Sequence, residues 1–205
     1  MQIGFYFDQT RCTGCGTCIV ACKDWNDIPA GPASWIHVVT IEKGERDSLF
    51  VASLVHTCYH CGNPGCLSAC PAGAIVKRGD DGIVTVDNKL CLGNETCGFC
   101  REACPYGAPQ FAPSTEAKMQ KCNFCADRWV EGEKPICVMA CPTRALDAGP
   151  LEEMWRKYGN NTEAEGFDYS SKSEPSIVFK KKKNVFSYSN EKARFFSIPL
   201  AQTDE

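Results

Sequence analysis

The sequence predicts an α+β fold: loop-rich, with short helices and β-hairpins, arranged as two similar double modules. Three observations predict it. Cysteine fills 16 of 205 positions, an enrichment that points to a cysteine-held scaffold. The cysteines fall into four groups of four, with none left over. Between the groups the apolar runs are short and bounded by Gly, Pro and Asp turn signals, which suits brief strands rather than long helices.

Taken in order, Ile3-Gly4-Phe5-Tyr6-Phe7 reads as a strand leading into the first group, and a helix is expected from Thr17 to Trp25. Trp35 to Ile41 and Leu49 to Val55 suit a hairpin across Lys43-Gly44-Glu45-Arg46-Asp47. A second hairpin pairs Ala74-Ile75-Val76-Lys77 with Ile83-Val84-Thr85-Val86 around Gly79-Asp80-Asp81-Gly82. Short helices are expected to start inside each cysteine group. Leu151 to Tyr158 reads as a further helix with Leu151, Met154, Trp155 and Tyr158 along one face. Asn160 to Ser176 is polar and expected to be loose. An apolar and basic tail follows, Ile177-Val178-Phe179 and then Lys180 to Lys183; its Phe179, Phe186, Tyr188, Phe195 and Phe196 belong to no evident core.

The groups are Cys12, Cys15, Cys18 and Cys22; Cys58, Cys61, Cys66 and Cys70; Cys91, Cys97, Cys100 and Cys104; and Cys122, Cys125, Cys137 and Cys141. Three close with Cys-Pro, at Cys70-Pro71, Cys104-Pro105 and Cys141-Pro142, a degenerate internal repeat. Proline has no N–H to donate and biases the residue before it toward extended backbone, so it turns the chain away behind the last cysteine.

The spacing Cys12-x2-Cys15-x2-Cys18-x3-Cys22 lets three thiolates hold one iron–sulfur cubane while the fourth rides on the next helical turn, out of its reach. In two-cluster ferredoxins that fourth cysteine ligates the neighbouring cluster. Four such groups therefore predict four [4Fe-4S] clusters in two ferredoxin-like double-cluster modules. Disulfides fit an even count, but Cys-x2-Cys-x2-Cys crowds the thiols too closely for unstrained bridges in every direction. Cys122-x2-Cys125-x11-Cys137-x3-Cys141 alone resembles a four-cysteine zinc site of an interaction module, a reading that the other three groups disfavour.

Other chemistry is thin. A net charge of −3 gives no basic footprint for nucleic acid. No apolar run approaches the length of a membrane span. Met1-Gln2-Ile3-Gly4 lacks the charged and apolar regions of a secretory signal, which favours reduced thiols, although a folded subunit can be exported with a signal-bearing partner. There is no phosphate loop, nucleotide fingerprint or nucleophile–base arrangement, so no catalytic residue is expected. His60 lies inside the second group, where it could donate toward a cluster sulfur or, more ordinarily, be a neutral residue satisfied by backbone. His37 and His56 sit on expected strands. Trp25, Trp35, Trp129 and Trp155 read as core or interface, and the lysine run as a solvated face.

Several segments carry a specific resemblance: Asp8-x3-Cys12-Thr13-Gly14-Cys15, Ala21-Cys22-Lys23, His60-Cys61, Ala103-Cys104-Pro105-Tyr106-Gly107-Ala108-Pro109-Gln110, Lys121-Cys122, and Pro135-Ile136-Cys137 with Cys141-Pro142. Over about residues 1 to 158 the chain resembles the four-cluster iron–sulfur subunits of the dimethyl sulfoxide reductase family of molybdopterin oxidoreductases. The resemblance implies a non-catalytic electron-transfer subunit of anaerobic respiration, with a molybdopterin catalytic subunit and a membrane anchor subunit as partners, membrane-associated through them. The alternative is a free-standing soluble polyferredoxin.

The resemblance also implies a nesting that spacing leaves open. Residues 1–30 with 110–158 form one half, residues 50–109 an inserted second half, and residues 159–205 an extended tail contacting partner subunits. The ligand sets it implies are Cys12, Cys15, Cys18 and Cys141 for cluster 1, and Cys122, Cys125, Cys137 and Cys22 for cluster 2. Cluster 3 takes Cys58, Cys61, Cys66 and Cys104, and cluster 4 takes Cys91, Cys97, Cys100 and Cys70. One departure stands out: the third group opens Cys91-Leu92-Gly93-Asn94-Glu95-Thr96-Cys97, three residues longer than the family's Cys-x2-Cys. Placing Asn94 at the second ligand position puts Cys100 and Cys104 out of step, so a bulged insertion is preferred.

Overall fold

The strand β1 (Ile3–Asp8) is buried along its whole length. A strand buried on both faces reads as a continuous apolar run rather than an alternating one, as Ile3-Gly4-Phe5-Tyr6-Phe7 does. The computed structural model describes residues 1–184 and 193–197. Beyond β1 the chain runs through α1 (Thr17–Trp25), β2 (Ile36–Lys43), β3 (Phe50–Thr57), α2 (Gly65–Ser68), β4 (Ile75–Lys77), β5 (Val84–Val86) and α3 (Phe99–Glu102). It continues through α4 (Ala126–Val130), α5 (Ile136–Ala140), β6 (Leu146–Pro150), α6 (Leu151–Tyr158), β7 (Ile177–Lys180) and β8 (Arg194–Ser197).

Three small sheets result. In the first, β1 is central, antiparallel to β6 with Phe5 opposite Ala148 and parallel to β7 with Phe5 opposite Ile177. The expected hairpin of β2 and β3 forms, from Ile36 opposite Thr57 to Lys43 opposite Phe50, and β8 adds to the free side of β2. The second expected hairpin pairs β4 with β5, Ile75 opposite Val86. Gly4 permits the close approach of β1 to its neighbours: a Cβ there would lie 2.7 Å from both Leu151 Cδ1 and the Ser176 carbonyl oxygen.

The helix α6 carries Glu152 and Glu153 in its first turn and Arg156 and Lys157 in its last, the arrangement its dipole favours. Its inner face packs Met154 against Tyr6 and Val178, and Tyr158 stacks on Tyr6 with ring centroids 3.6 Å apart. Trp155, expected on the same face, is instead exposed. The main core joins Ile3, Phe5 and Phe7 of β1 to Val38, Leu54, Phe124, Phe167 and Phe179. A smaller core holds Ile75, Val84 and Met119 between Cys66 and Cys100.

Two expectations about the region after α6 are corrected. Residues 160–176 are not loose: Ala164 and Phe167 are buried, Phe167 stacks on Tyr106 at 5.4 Å, and Glu165 N–H donates to Gln9 Oε1 at 2.8 Å. Phe179 is not a free anchor either. It is 1% exposed and packs edge-on against Phe7, because β7 completes the sheet around β1. Phe195 and Phe196 are exposed as expected, while Phe186 and Tyr188 lie outside the described residues.

Candidate metal centres

The Cys-Pro repeat produces the same turn three times. Gly73 N–H donates to the Cys70 carbonyl, Gly107 N–H to that of Cys104, and Arg144 N–H to that of Cys141, at 3.3, 3.3 and 3.2 Å. The turn ends on left-handed backbone each time, with φ of 61°, 61° and 53°. Glycine adopts that conformation freely, whereas Arg144 holds it with its guanidinium on the Met139 carbonyl at 3.1 Å. The chelating loops are curled in the same way. Gly14 and Gly16 have φ of 72° and 74°, and Phe124 and Cys125 of 60° and 46°. Such left-handed residues cluster where a ligand determines the backbone.

All sixteen cysteines are free thiols. Cys12, Cys15, Cys18 and Cys141 line one cavity with Phe7, Val38 and Val55. Cys58, Cys61, Cys66 and Cys104 line a second with Tyr59, Tyr106 and Lys121. Cys70, Cys91, Cys97 and Cys100 line a third with Ile75, Phe111 and Met119. The remaining four face one another: burial pushes Cys137 well above the usual thiol range, and Cys122, Cys22 and Cys125 add to the shift. Packing explains why the last cysteine of one group stands beside the thiols of another. Helix α1 lies on α5 and carries Cys22 to the fourth group, while α2 lies on α3 between the second and third.

The donor chemistry fits an iron–sulfur cluster at each set. Burial pushes Cys18 up to about 12, helped by Cys12, Cys141 and Cys15, and does the same to Cys61, helped by Cys58, Cys104 and Cys66. Four crowded thiolates repel one another and are poorly hydrated, so the sets favour cationic iron, which discharges both penalties while releasing protons. Cys15 alone is exposed; hydrogen bonds from the Thr17 hydroxyl and N–H lower it. Burial alone would raise Cys141, but the Thr143 hydroxyl and the N–H groups of Ala145, Leu146 and Thr143 outweigh it and bring it down. Neighbouring sets also meet: Cys18 bears on Cys137, Cys58 on Cys122, and Cys100 on Cys66.

Backbone and side-chain donors point at the sulfurs. Phe124 N–H lies 3.3 Å from Cys122 Sγ, Ala145 N–H 3.3 Å from Cys141 Sγ, and Met119 N–H 3.5 Å from Cys91 Sγ. Asn26 Nδ2 reaches Cys22 Sγ at 3.7 Å. Hydrogen bonds to the sulfurs are one of the means by which a protein sets a cluster's potential. Thr17, Thr143 and Asn26 were missed in the sequence. The first two were visible as a repeated Cys-x-Thr, Cys15-Gly16-Thr17 and Cys141-Pro142-Thr143, whose cysteines line the same cavity.

The long loop of the third group bulges outward. Asn94 N–H donates to the Ala117 carbonyl at 2.9 Å, and its side-chain oxygen faces Arg101 at 3.5 Å, leaving Cys97 on the cavity wall. His60 is fully buried. Its Nδ1 accepts from Val84 N–H at 3.0 Å, which places the proton of the neutral ring on Nε2, and Nε2 has no hydrogen-bond partner among the described residues. Its burial, aided by Lys121 and Lys77, holds it neutral, with its pKa well below the usual histidine range. No helix among the described residues is long and apolar enough to cross a membrane.

Comparison with known proteins agrees with this site. Two matches to the 4Fe-4S dicluster domain cover residues 49–151 and residues 11–74. The chain is 41% identical to the B subunit of anaerobic dimethyl sulfoxide reductase from Escherichia coli (strain K12), over 89% of its length and 90% of that protein. It is 34% identical to the formate dehydrogenase-O iron-sulfur subunit of the same strain, over 75% of this chain and 55% of that one. It is 41% identical to the thiosulfate reductase electron transfer subunit of Salmonella typhi, over 71% of this chain and 74% of that one. With sixteen thiols gathered in four sets and matches that take in all four groups, the chain belongs to the iron–sulfur subunits of the dimethyl sulfoxide reductase family of molybdopterin oxidoreductases, and it is an electron-transfer protein carrying four [4Fe-4S] clusters.

Proposed function

We propose that this chain relays single electrons between a molybdopterin-bearing catalytic subunit and a membrane subunit that exchanges electrons with quinone or quinol. When bound, each cluster supplies a one-electron carrier whose potential the surrounding protein sets. The observation that carries the reading is the gathering of the thiols into four sets, in which the last cysteine of one group stands with the first three of another. It supports the ligand map in which Cys141 completes the set of Cys12, Cys15 and Cys18, and Cys22 completes that of Cys122, Cys125 and Cys137. In the same map Cys104 completes the set of Cys58, Cys61 and Cys66, and Cys70 that of Cys91, Cys97 and Cys100.

The contacts between sets support a linear order, from the Cys12 set through the Cys122 set and the Cys58 set to the Cys91 set. Residues 1–30 with 110–158 and the inserted residues 50–109 then act as two ferredoxin-like halves in series. Apolar side chains stand exposed in two places: Val20, Trp25, Val130 and Met139 near α1, α4 and α5, and Leu90, Leu92 and Phe99 near the long loop. Permanent partners bury such residues, which favours a fixed subunit, membrane-associated through its partners, over a free polyferredoxin. Phe195 and Phe196, exposed on β8, are a further surface for a partner.

The test of the map is Cys22→Ser, read by low-temperature electron paramagnetic resonance of the assembled complex. It perturbs the cluster of Cys122, Cys125 and Cys137, about 100 residues away in sequence. A change confined to the cluster of Cys12, Cys15 and Cys18 overturns the exchange. Co-purification tests the role, since a chain isolated without a molybdopterin protein or a membrane protein would be a free carrier.

A further inference from the structure

Lys121 is 4% exposed, and lysine is almost never so deeply buried unless paired. Among the described residues it makes no ion pair with a carboxylate. Its Nζ donates to two backbone carbonyls, those of Val84 and, at 3.0 Å, Cys122. Neutral acceptors do not offset a buried charge, whose desolvation is costly unless an anion stands nearby. The anions available are thiolates. Lys121 lines the cavity of Cys58, Cys61, Cys66 and Cys104, and its own neighbour in sequence, Cys122, belongs to the next set. It stands between both sets, lining the cavity of Cys58 and Cys66 and donating to the Cys122 carbonyl. The same place is where the two halves of the relay meet: Lys121 and Val84 line both the cavity of Cys58 and a cavity that reaches Cys122.

We propose that Lys121 is a fixed positive charge at the crossing between the two halves, making the clusters on both sides of it easier to reduce. This rests on the ligand map proposed above. A cluster held by four thiolates becomes more anionic when it gains an electron, so a nearby ammonium favours its reduced form. Because Lys121 touches both sets, it favours both together and keeps the crossing from becoming an uphill step. An electron crossing here leaves one cluster and enters the other; no bond is made or broken. Val84 holds the arrangement rigid, its carbonyl accepting from Lys121 while its N–H donates to His60. Lys77 serves as the contrast: it also bonds backbone carbonyls, those of Cys61 and Gly62 at 2.8 and 2.7 Å, but it is only half-buried and lines neither of the cavities that Lys121 lines.

The experiment is a redox titration at one fixed pH of the full-length chain in its complex, read by low-temperature electron paramagnetic resonance, with iron counted alongside. Lys121→Met removes charge and hydrogen bonds, Lys121→Gln removes charge and keeps N–H donors, and Lys121→Arg keeps charge. The expected result is that two of the four midpoint potentials fall in the Met and Gln variants, the other two stay, and Arg restores both. Unchanged potentials at full iron content overturn the proposal. So do a Gln variant that behaves as wild type, which would assign the effect to hydrogen bonding, and a parallel shift of all four signals, which would assign it to general loosening. Loss of iron in both neutral variants but not in Arg would make Lys121 a structural cation and also overturn it. Cys22→Ser and Cys104→Ser identify the two affected signals independently. Should those variants perturb other signals than the map assigns, the map fails, separately from the response to Lys121.

Discussion

At the scale of single residues, the third cysteine group is the sharpest case. Asn94 was the competing ligand on spacing, yet its side chain turns to Arg101 while Cys97 stays on the cavity wall. Cys97→Ser is therefore expected to alter or convert one cluster and leave the other three resonance signals intact; an unchanged spectrum would remove Cys97 from the ligands. Asp147 gives a prediction of another kind. Burial alone would raise its carboxyl, but Lys134, Tyr158 and Lys157 outweigh that and hold it far below the usual carboxylate range. A depressed folded-state pKa contributes stability that is present above the unfolded value, about 4, and lost as pH falls below it. Asp147→Asn should lower thermal stability at pH 7, by about 1–2 kcal/mol once the lysines' exposure is discounted, and flatten its fall between about pH 4 and 2. An equal loss at both pH values would contradict the account. Residues such as Asp147 and Lys121 were illegible beforehand because a charge's role depends on what folds against it, and nothing in their local sequence names those partners.

Elements were legible where local chemistry decides them. Helices α1 and α6 run from Thr17 to Trp25 and from Leu151 to Tyr158, as their patterns predict, and both hairpins form around their Gly and Asp turns. Strand β6 was not legible: Leu-Asp-Ala-Gly-Pro is poor strand sequence, and it becomes a strand because β1 offers it hydrogen bonds. Strand β7 was seen only as an apolar stretch, since a parallel partner at the far end of the chain leaves no local mark. Gly4 is the joint of this sheet. Gly4→Ala places a Cβ 2.7 Å from the Ser176 carbonyl oxygen, a backbone atom that cannot step aside. The expected cost is about 1–3 kcal/mol, seen as a thermal midpoint lower by several degrees. Gly79→Ala, whose Cβ would meet nothing within 4 Å, serves as the control and should leave the midpoint in place.

For the whole molecule, four clusters mean about sixteen irons and as many acid-labile sulfides per chain, after correction for partner subunits. A count near eight would refute four clusters, and one near fifteen would mark a three-iron cluster at one set. The four cysteine groups were plain in the sequence because ligand spacing is local, whereas which groups lie side by side depended on how α1 meets α5 and α2 meets α3. The central place of β1 carries a consequence in time. Its partners are β6 and β7, and Cys141, which lines the same cavity as Cys12, Cys15 and Cys18, is made more than a hundred residues after them. A ribosome adding about 5–20 residues per second takes roughly ten to thirty seconds to travel from the first cysteines to the last strand of that sheet. Throughout that interval Cys12, Cys15 and Cys18 leave the exit tunnel with neither their sheet nor Cys141 beside them. On the proposed ligand map, metallation of the earliest-made site waits until the chain has been made as far as β7, about residue 180, and the cell must keep those nascent thiols reduced and free of competing metals until then.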